Sequence, residues 1–135
     1  MNRIHDKIKE LEKYLSELED ITPSSFEAYK SSLEKKAACE RYLEKIVEAA
    51  TDLAFLVIKL KKFKIPEDDI DAFNILLDNQ AITEISAVKL KNAKGMRNIL
   101  AHQYGKIDDK IVFGSIKGEL EKDIRSFIKE IQNIP

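Results

Sequence analysis

Apolar residues recur every three or four positions along most of the chain, the spacing that places side chains on one face of an α-helix. The first such stretch runs from Asn2 to Asp20, and the sequence Thr22–Ser25 interrupts it. Ser24 and Glu27 then have the spacing of a capping box, in which two side chains satisfy the first free backbone N–H groups of a helix. A second helix is therefore predicted to begin there.

That second stretch, from Phe26 to about Leu60, contains no residue that stops a helix. Its apolar positions, among them Leu33, spread around most of the circumference at Leu53–Ile58, which indicates burial on more than one side. Either this is the central helix of a bundle, or a second protomer covers part of it. A helix of this length is unusually long, so a kink is compatible with the pattern, which does not place one.

Three further helices are predicted. One begins at Pro66 with an acidic first turn, because proline suits the first helical position and carboxylates suit the positive end of the helix dipole. The next runs from a Thr83 cap to His102, and the last from Lys110 to Ile134. Without strand-like alternation or internal repeats, the pattern predicts an all-α, up-and-down bundle of about five helices, as one domain over residues 1–135.

Four glycines bear on this outline. Gly95 lies within a predicted helix at a cost of roughly 1 kcal/mol relative to alanine, which suggests that a neighbouring backbone comes close. Gly105 is a natural terminator of that helix. Gly114 and Gly118 lie four apart on one side of the last helix, which predicts the close approach of another helix.

The charge balance of 23 basic and 24 acidic residues gives no overall field that would attract nucleic acid, so any RNA contact needs a local patch. One candidate is the Thr83–His102 helix, where Lys91 and Lys94 are the proposed RNA-binding residues; a solvated face is an equal alternative. A second is the cluster Lys59–Lys64, which either complements a helix C-terminus or contacts phosphates.

Several classes of protein are disfavoured. Cys39 is the sole cysteine, which rules out an intramolecular disulfide and favours a reducing, cytoplasmic location. The longest uncharged apolar run, Leu53–Ile58, is far shorter than the roughly 20 residues of a membrane span. Two distant histidines and one cysteine make no metal-ligand set, and no glycine-rich phosphate loop is present. We therefore expect no metal, no cofactor and no membrane partner.

The strongest candidates for functional residues are Arg97–Tyr104, at the end of the Thr83–His102 helix. Asn98 and His102 are four apart and stack on one side, next to Arg97. Arginine offers a planar charged fork to phosphate oxygens, histidine moves protons near neutral pH, and asparagine can orient the ring or donate to an oxyanion. The spacing alone is also consistent with residues that have no function. A histidine in the last turn of a helix often only hydrogen-bonds the free backbone carbonyls there, and an arginine on a helix is usually a solvated charge.

The octet resembles the R-x-x-x-x-H-x-Y signature of HEPN-domain proteins, specifically the HepT-like toxins of prokaryotic toxin–antitoxin pairs. The match includes the polar Asn98 directly after the arginine, the preceding Gly95-Met96 and the following Gly105-Lys106-Ile107-Asp108. Together with the helical outline, the resemblance covers nearly the whole chain.

This resemblance implies a HEPN-like homodimer that cleaves RNA without a metal ion. Arg97 and His102 would face their symmetry mates across a cleft, with Asn98 holding the geometry, and the ribose 2′-hydroxyl would be the nucleophile. Tyr104 would accept AMP from an MNT-type nucleotidyltransferase antitoxin, which silences the toxin. The alternatives are a non-catalytic, nucleotide-binding partner of a nucleotidyltransferase and a purely structural helical dimer.

Overall fold

The computed structural model describes residues 2–102 and 108–134, and this part of the chain is helical without strands. The helices are α1 (Asn2–Ile21), α2 (Phe26–Ser31), α3 (Leu33–Lys61), α4 (Asp69–Asp78), α5 (Glu84–His102), α6 (Asp109–Gly114) and α7 (Leu120–Gln132). The all-α class predicted from periodicity is confirmed. Among the helices described, none combines the length and apolarity that crossing a membrane requires. Gly105, the predicted helix terminator, lies outside the described residues.

Helix α3 is the centre of the bundle, and α1, α2, α4 and α5 all pack against it. Leu53 and Ala54 are fully buried on its inner side, whereas Phe55 and Leu56 remain half-buried. The protomer therefore covers most of the apolar Leu53–Ile58 segment by itself. Leu33, expected on the core face, is instead 79% exposed, because it is the first residue of the helix and lies beyond its packing partners.

The long helix predicted from Phe26 is divided at Ser32, where the backbone is extended. Ser32 Oγ accepts a hydrogen bond from Lys35 N at 3.2 Å and so caps the start of α3. The cap of α2 is Ser25, whose Oγ accepts from Ala28 N at 3.1 Å. The prediction that Ser24 caps this helix was thus wrong by one residue.

The remaining helix bounds shift for similar local reasons. Helix α4 begins three residues after Pro66, because Asp68 accepts a hydrogen bond from Asp71 N at 2.8 Å and serves as its cap. The last predicted helix is interrupted between α6 and α7 by an irregular turn over Ser115–Glu119. There Gly118 has φ of +104°, a conformation that side chains with a Cβ rarely adopt.

The glycine contacts predicted from sequence are absent. A Cβ built at Gly95, Gly114 or Gly118 would meet no described heavy atom within 4 Å outside its own helix and neighbours. The expectation of a closely approaching backbone or helix was therefore wrong within the protomer. Gly118 serves the turn, and Gly95 faces open space on α5.

Candidate active site at the end of α5

Helix α5 is fixed to its neighbours from its first residue onward. Thr83 Oγ accepts from Ser86 N at 3.2 Å, in agreement with the predicted cap. The Glu130 carboxylate on α7 accepts from Thr83 N at 2.9 Å and from Ser86 Oγ at 2.7 Å. Because these bonds join two helices at the start of α5, the direction in which its far end projects is set by the core.

In the middle of α5, two lysines pair with α4. Lys91 Nζ donates to Asn74 Oδ1 at 2.9 Å, and Lys94 Nζ lies 2.7 Å from Asp69 Oδ2. Lys94 is only 8% exposed, and its ammonium group is already engaged by the partly exposed carboxylate of Asp69. These two residues join α5 to α4, and Lys94 does not form the exposed basic patch that sequence reasoning expected of it.

One turn later, Arg97 pairs with the central helix. Its Nη2 lies 2.9 Å from Glu48 Oε1 on α3, and its Nη1 donates to Asn98 Oδ1 at 3.3 Å. Its Nε is buried and has no hydrogen-bond partner among the described residues. This guanidinium therefore keeps one hydrogen-bond donor unpaired among the described residues. Leaving a buried donor unpaired costs on the order of 1–3 kcal/mol.

His102 is the last residue of α5 and is exposed, as is Asn98 one turn before it. The structure brings Arg97 and Asn98 into contact and places His102 at the same end of the helix, with no hydrogen bond joining it to Arg97 within the described part of the chain. Tyr104, the predicted modification site, lies outside the described residues. The end of α5 therefore offers a guanidinium, an amide and an imidazole near solvent.

Sequence reasoning missed Glu48 entirely. It interrupts an apolar run of α3 between Val47 and Ala49, and that isolation was the available signal, because a carboxylate in the middle of a central helix needs a partner. Its partner is Arg97, 49 positions away, and nothing in helical spacing reveals such a pair. Among residues 2–102 and 108–134, no group of three or more His, Cys, Asp and Glu side chains could hold a metal ion.

A stripe of α5 that ends at His102 is left largely uncovered by the described residues of the protomer. Its members recur at alternating spacings of three and four: Ile85, Val88, Asn92, Gly95, Ile99 and His102. Ile85 is 73% exposed, and Val88 and Ile99 are nearly half exposed. We call these six residues the α5 stripe.

Residues 11–131 match the family model described as Ribonuclease HepT-like. The chain belongs to this family. The HEPN resemblance of the Arg97–Tyr104 octet and the predicted enzyme class, a ribonuclease, are thereby confirmed at the level of the family.

Individual relatives support the same family assignment. The tRNA nuclease HepT of Aphanizomenon flos-aquae is 32% identical over 120 residues, which cover 88% of this chain and 81% of the relative. The mRNA nuclease HepT of Shewanella oneidensis is 32% identical over 67% of each chain. Among solved structures, the tri-AMPylated HEPN toxin of Shewanella oneidensis in complex with its MNT antitoxin superposes with a TM-score of 0.89, at 25% identity and with 97% of each chain covered.

Proposed function

We propose that this HepT-like chain is the toxin of a toxin–antitoxin pair and cleaves RNA at a composite site formed by two copies of the end of α5. The observation that carries the proposal is the Arg97–Glu48 ion pair at 2.9 Å, which holds a guanidinium in place five positions before an exposed imidazole. A held cation and an imidazole that can accept or donate a proton, at the same end of one helix, supply the two kinds of group that phosphodiester cleavage can use.

The reaction needs no outside nucleophile, because RNA supplies its own 2′-hydroxyl. One His102 imidazole accepts the 2′-hydroxyl proton while the 2′-oxygen bonds to the adjacent phosphorus. The bond from phosphorus to the 5′-oxygen breaks, and the imidazolium of the second His102 protonates that oxygen. The products are a 2′,3′-cyclic phosphate and a 5′-hydroxyl end. Arg97 stabilises the charge that develops on the phosphoryl oxygens, and Asn98 keeps its fork oriented.

The α5 stripe supports the second copy. Exposed Ile85, Val88 and Ile99 follow the spacing of a seam between two packed helices, and Gly95 would let the two backbones approach closely. The seam leads directly to His102, so a second copy packed along it would bring the two imidazoles toward one another. A homodimer is therefore part of the proposal.

The proposed reaction is independent of metal ions, since Arg97 supplies the positive charge and His102 the proton transfer. The test is cleavage of labelled tRNA and mRNA fragments by purified protein in the presence of EDTA, with 2′-deoxy substrates as a control. Wild-type protein should cleave both RNA classes, whereas Arg97→Ala and His102→Ala should not. Cleavage that persists in these folded variants, or that disappears on adding EDTA, would overturn the corresponding part of the proposal.

Regulation is proposed to act through Tyr104. An MNT-type nucleotidyltransferase would join the phenol oxygen to the α-phosphorus of ATP, with release of pyrophosphate, and the added phosphodiester charge would occupy the Arg97 site and repel RNA. The description of the Shewanella relative as tri-AMPylated and bound to its antitoxin supports this idea. Incubation with such an enzyme and ATP should add AMP mass to wild-type protein and none to Tyr104→Phe. Modification of the phenylalanine variant would contradict the assignment.

A further inference from the structure

A groove lies on the same side of α3 as Glu48, toward the C-terminal end of that helix. The start of α1, the second half of α3 and the connection that follows it form the walls, which enclose about 660 Å³. This is the size of a small-ligand site. None of the residues assigned to the reaction lines it.

The groove is strongly basic. Four cations line it against one acid, Asp52, whose carboxylate lies 3.5 Å from Lys7 Nζ. Lys7 also hydrogen-bonds Glu10 at 3.1 Å, so its charge is already engaged. The other three cations, Arg3, Lys59 and Lys62, are exposed and pair with no acid among the described residues. Their charges are therefore available to an anionic ligand.

Aromatic side chains form part of the same wall. Phe55 and Phe63 line the groove and are only half-buried, so part of each ring remains accessible. A basic groove with accessible aromatic rings is the arrangement that binds single-stranded nucleic acid, because the cations follow the phosphates and the bases stack on the rings. A duplex, whose bases are already stacked, would leave these rings unused.

The groove also lies along a line from the proposed site. Glu48, Asp52, Phe55 and Lys59 follow one another at spacings of four, three and four and so form one stripe of α3. With a rise of 1.5 Å per residue, Lys59 lies about 16 Å along the helix from Glu48, the length of roughly five stacked nucleotides. Both acids of this stripe are paired, Glu48 with Arg97 and Asp52 with Lys7, which reduces their repulsion of a phosphate backbone.

We propose that this groove is an accessory site for the RNA substrate. It would bind a single-stranded segment several nucleotides from the scissile phosphate, with phosphates on Arg3, Lys59 and Lys62 and bases against the two phenylalanine rings. The inference rests on the proposed ribonuclease function and adds where the substrate strand runs. It gives the lysine cluster at the end of α3 a role in substrate affinity.

The test compares two double variants of equal charge change in a His102→Ala background, which prevents cleavage during measurement. Lys59→Glu with Lys62→Glu alters the groove, whereas Lys9→Glu with Lys13→Glu alters exposed positions of α1 that do not line it. Fluorescence anisotropy with a single-stranded RNA 12-mer should show at least tenfold weaker binding for the groove variant alone. Its salt dependence should also flatten, by about 0.7 in the log–log slope for each phosphate that the groove no longer neutralises.

A third variant, Phe63→Leu, keeps apolar volume but removes a ring. It should weaken 12-mer binding severalfold while leaving the salt slope unchanged. In active protein, the groove variants should cleave a dinucleotide at the wild-type rate, because a dinucleotide is too short to reach the groove. A variant that loses both dinucleotide cleavage and its thermal transition is misfolded. In that case, 12-mer binding by Phe63→Leu tests the proposal.

Other results would overturn the inference. Equal weakening by both double variants would mean that net charge alone matters. If AMP alone bound the groove as tightly as the 12-mer, the groove would be a free-nucleotide site. If the groove variant differed from wild-type protein in molar mass by light scattering, the groove would be a protein interface. The proposed function can fail separately. If wild-type protein bound the 12-mer through the groove but never cleaved RNA, the nuclease proposal would be refuted and the binding site would stand.

Discussion

Arg97 on α5 and Glu48 on α3 form an ion pair of 2.9 Å that joins the predicted catalytic end of one helix to the centre of the bundle. Both side chains are partly exposed, so the pair contributes little to stability by itself. Its consequence is geometric: the pair favours one orientation of the guanidinium before any substrate arrives. Such preorganisation avoids the cost of ordering a long side chain during the reaction.

Glu48 should therefore act as a positioning residue. We expect Glu48→Ala to lower kcat by about tenfold to a hundredfold, with KM for a dinucleotide changed much less. Glu48→Gln, which can still accept a hydrogen bond from Arg97, should recover part of that activity. Steady-state kinetics measure both variants, and Glu34→Ala on the exposed start of α3 is the matched control. Equal kcat for Glu48→Ala and wild-type protein would remove this role.

The α5 stripe should control oligomeric state. Ile99→Glu would place a charge within a packed seam, where desolvation makes it costly. We expect the variant to be monomeric by light scattering, to remain helical and to lose RNA cleavage. Leu33→Glu, at another exposed apolar position, should stay dimeric and active. A monomeric wild-type protein with full activity would rule out the composite site.

Gly95 gives a second test of the same surface. Because a Cβ there meets no described atom within 4 Å, Gly95→Ala should stabilise the protomer by about 0.5–1 kcal/mol through helix propensity. Thermal unfolding followed by circular dichroism should show an increase in Tm of a few degrees. Gly95→Trp should instead dissociate the dimer, since the bulky ring would keep two seams apart. A tryptophan variant that remains dimeric would place the interface elsewhere.

The pH dependence of stability can be tested at Glu40. Burial raises the pKa of this carboxyl, and the nearby Asp109 and Glu44 add to the effect, while Lys36 opposes it. The folded protein thus binds this proton more tightly than the unfolded chain. The contribution is present in full below the ordinary glutamate pKa of about 4.3 and is lost as pH rises through the higher folded pKa.

Glu40→Gln should accordingly raise Tm at pH 7 and leave it unchanged near pH 3, where both side chains are neutral. Differential scanning calorimetry at the two pH values measures the difference. Glu27→Gln, at an exposed position of α2, is the control and should change Tm little at either pH. A lower Tm at pH 7 for Glu40→Gln would mean that attraction to Lys36 outweighs burial.

Much of the fold followed from periodicity. The 3.6-residue repeat of apolar positions predicted the all-α class, and α1 and α5 begin and end within two residues of the predicted positions. The pattern allowed a kink in the long helix without placing it at Ser32, and the division at Gly118 was missed, because a single serine or glycine is tolerated inside a helix and breaks it only where packing favours the bend. Lys94 was misjudged as a surface cation for a related reason, since its partner Asp69 lies on another helix.

The sequence by itself determined the helical class, the HepT-like family and the candidate trio Arg97, Asn98 and His102, since all of these depend on neighbours within a few turns of one helix. Only the tertiary structure decided which charges are engaged and which are free. It paired Arg97 with Glu48, buried Lys94 against Asp69, and left the α5 stripe and the groove of Lys59 and Lys62 open. Partners distant in the chain meet through the packing of whole helices, which no local spacing encodes.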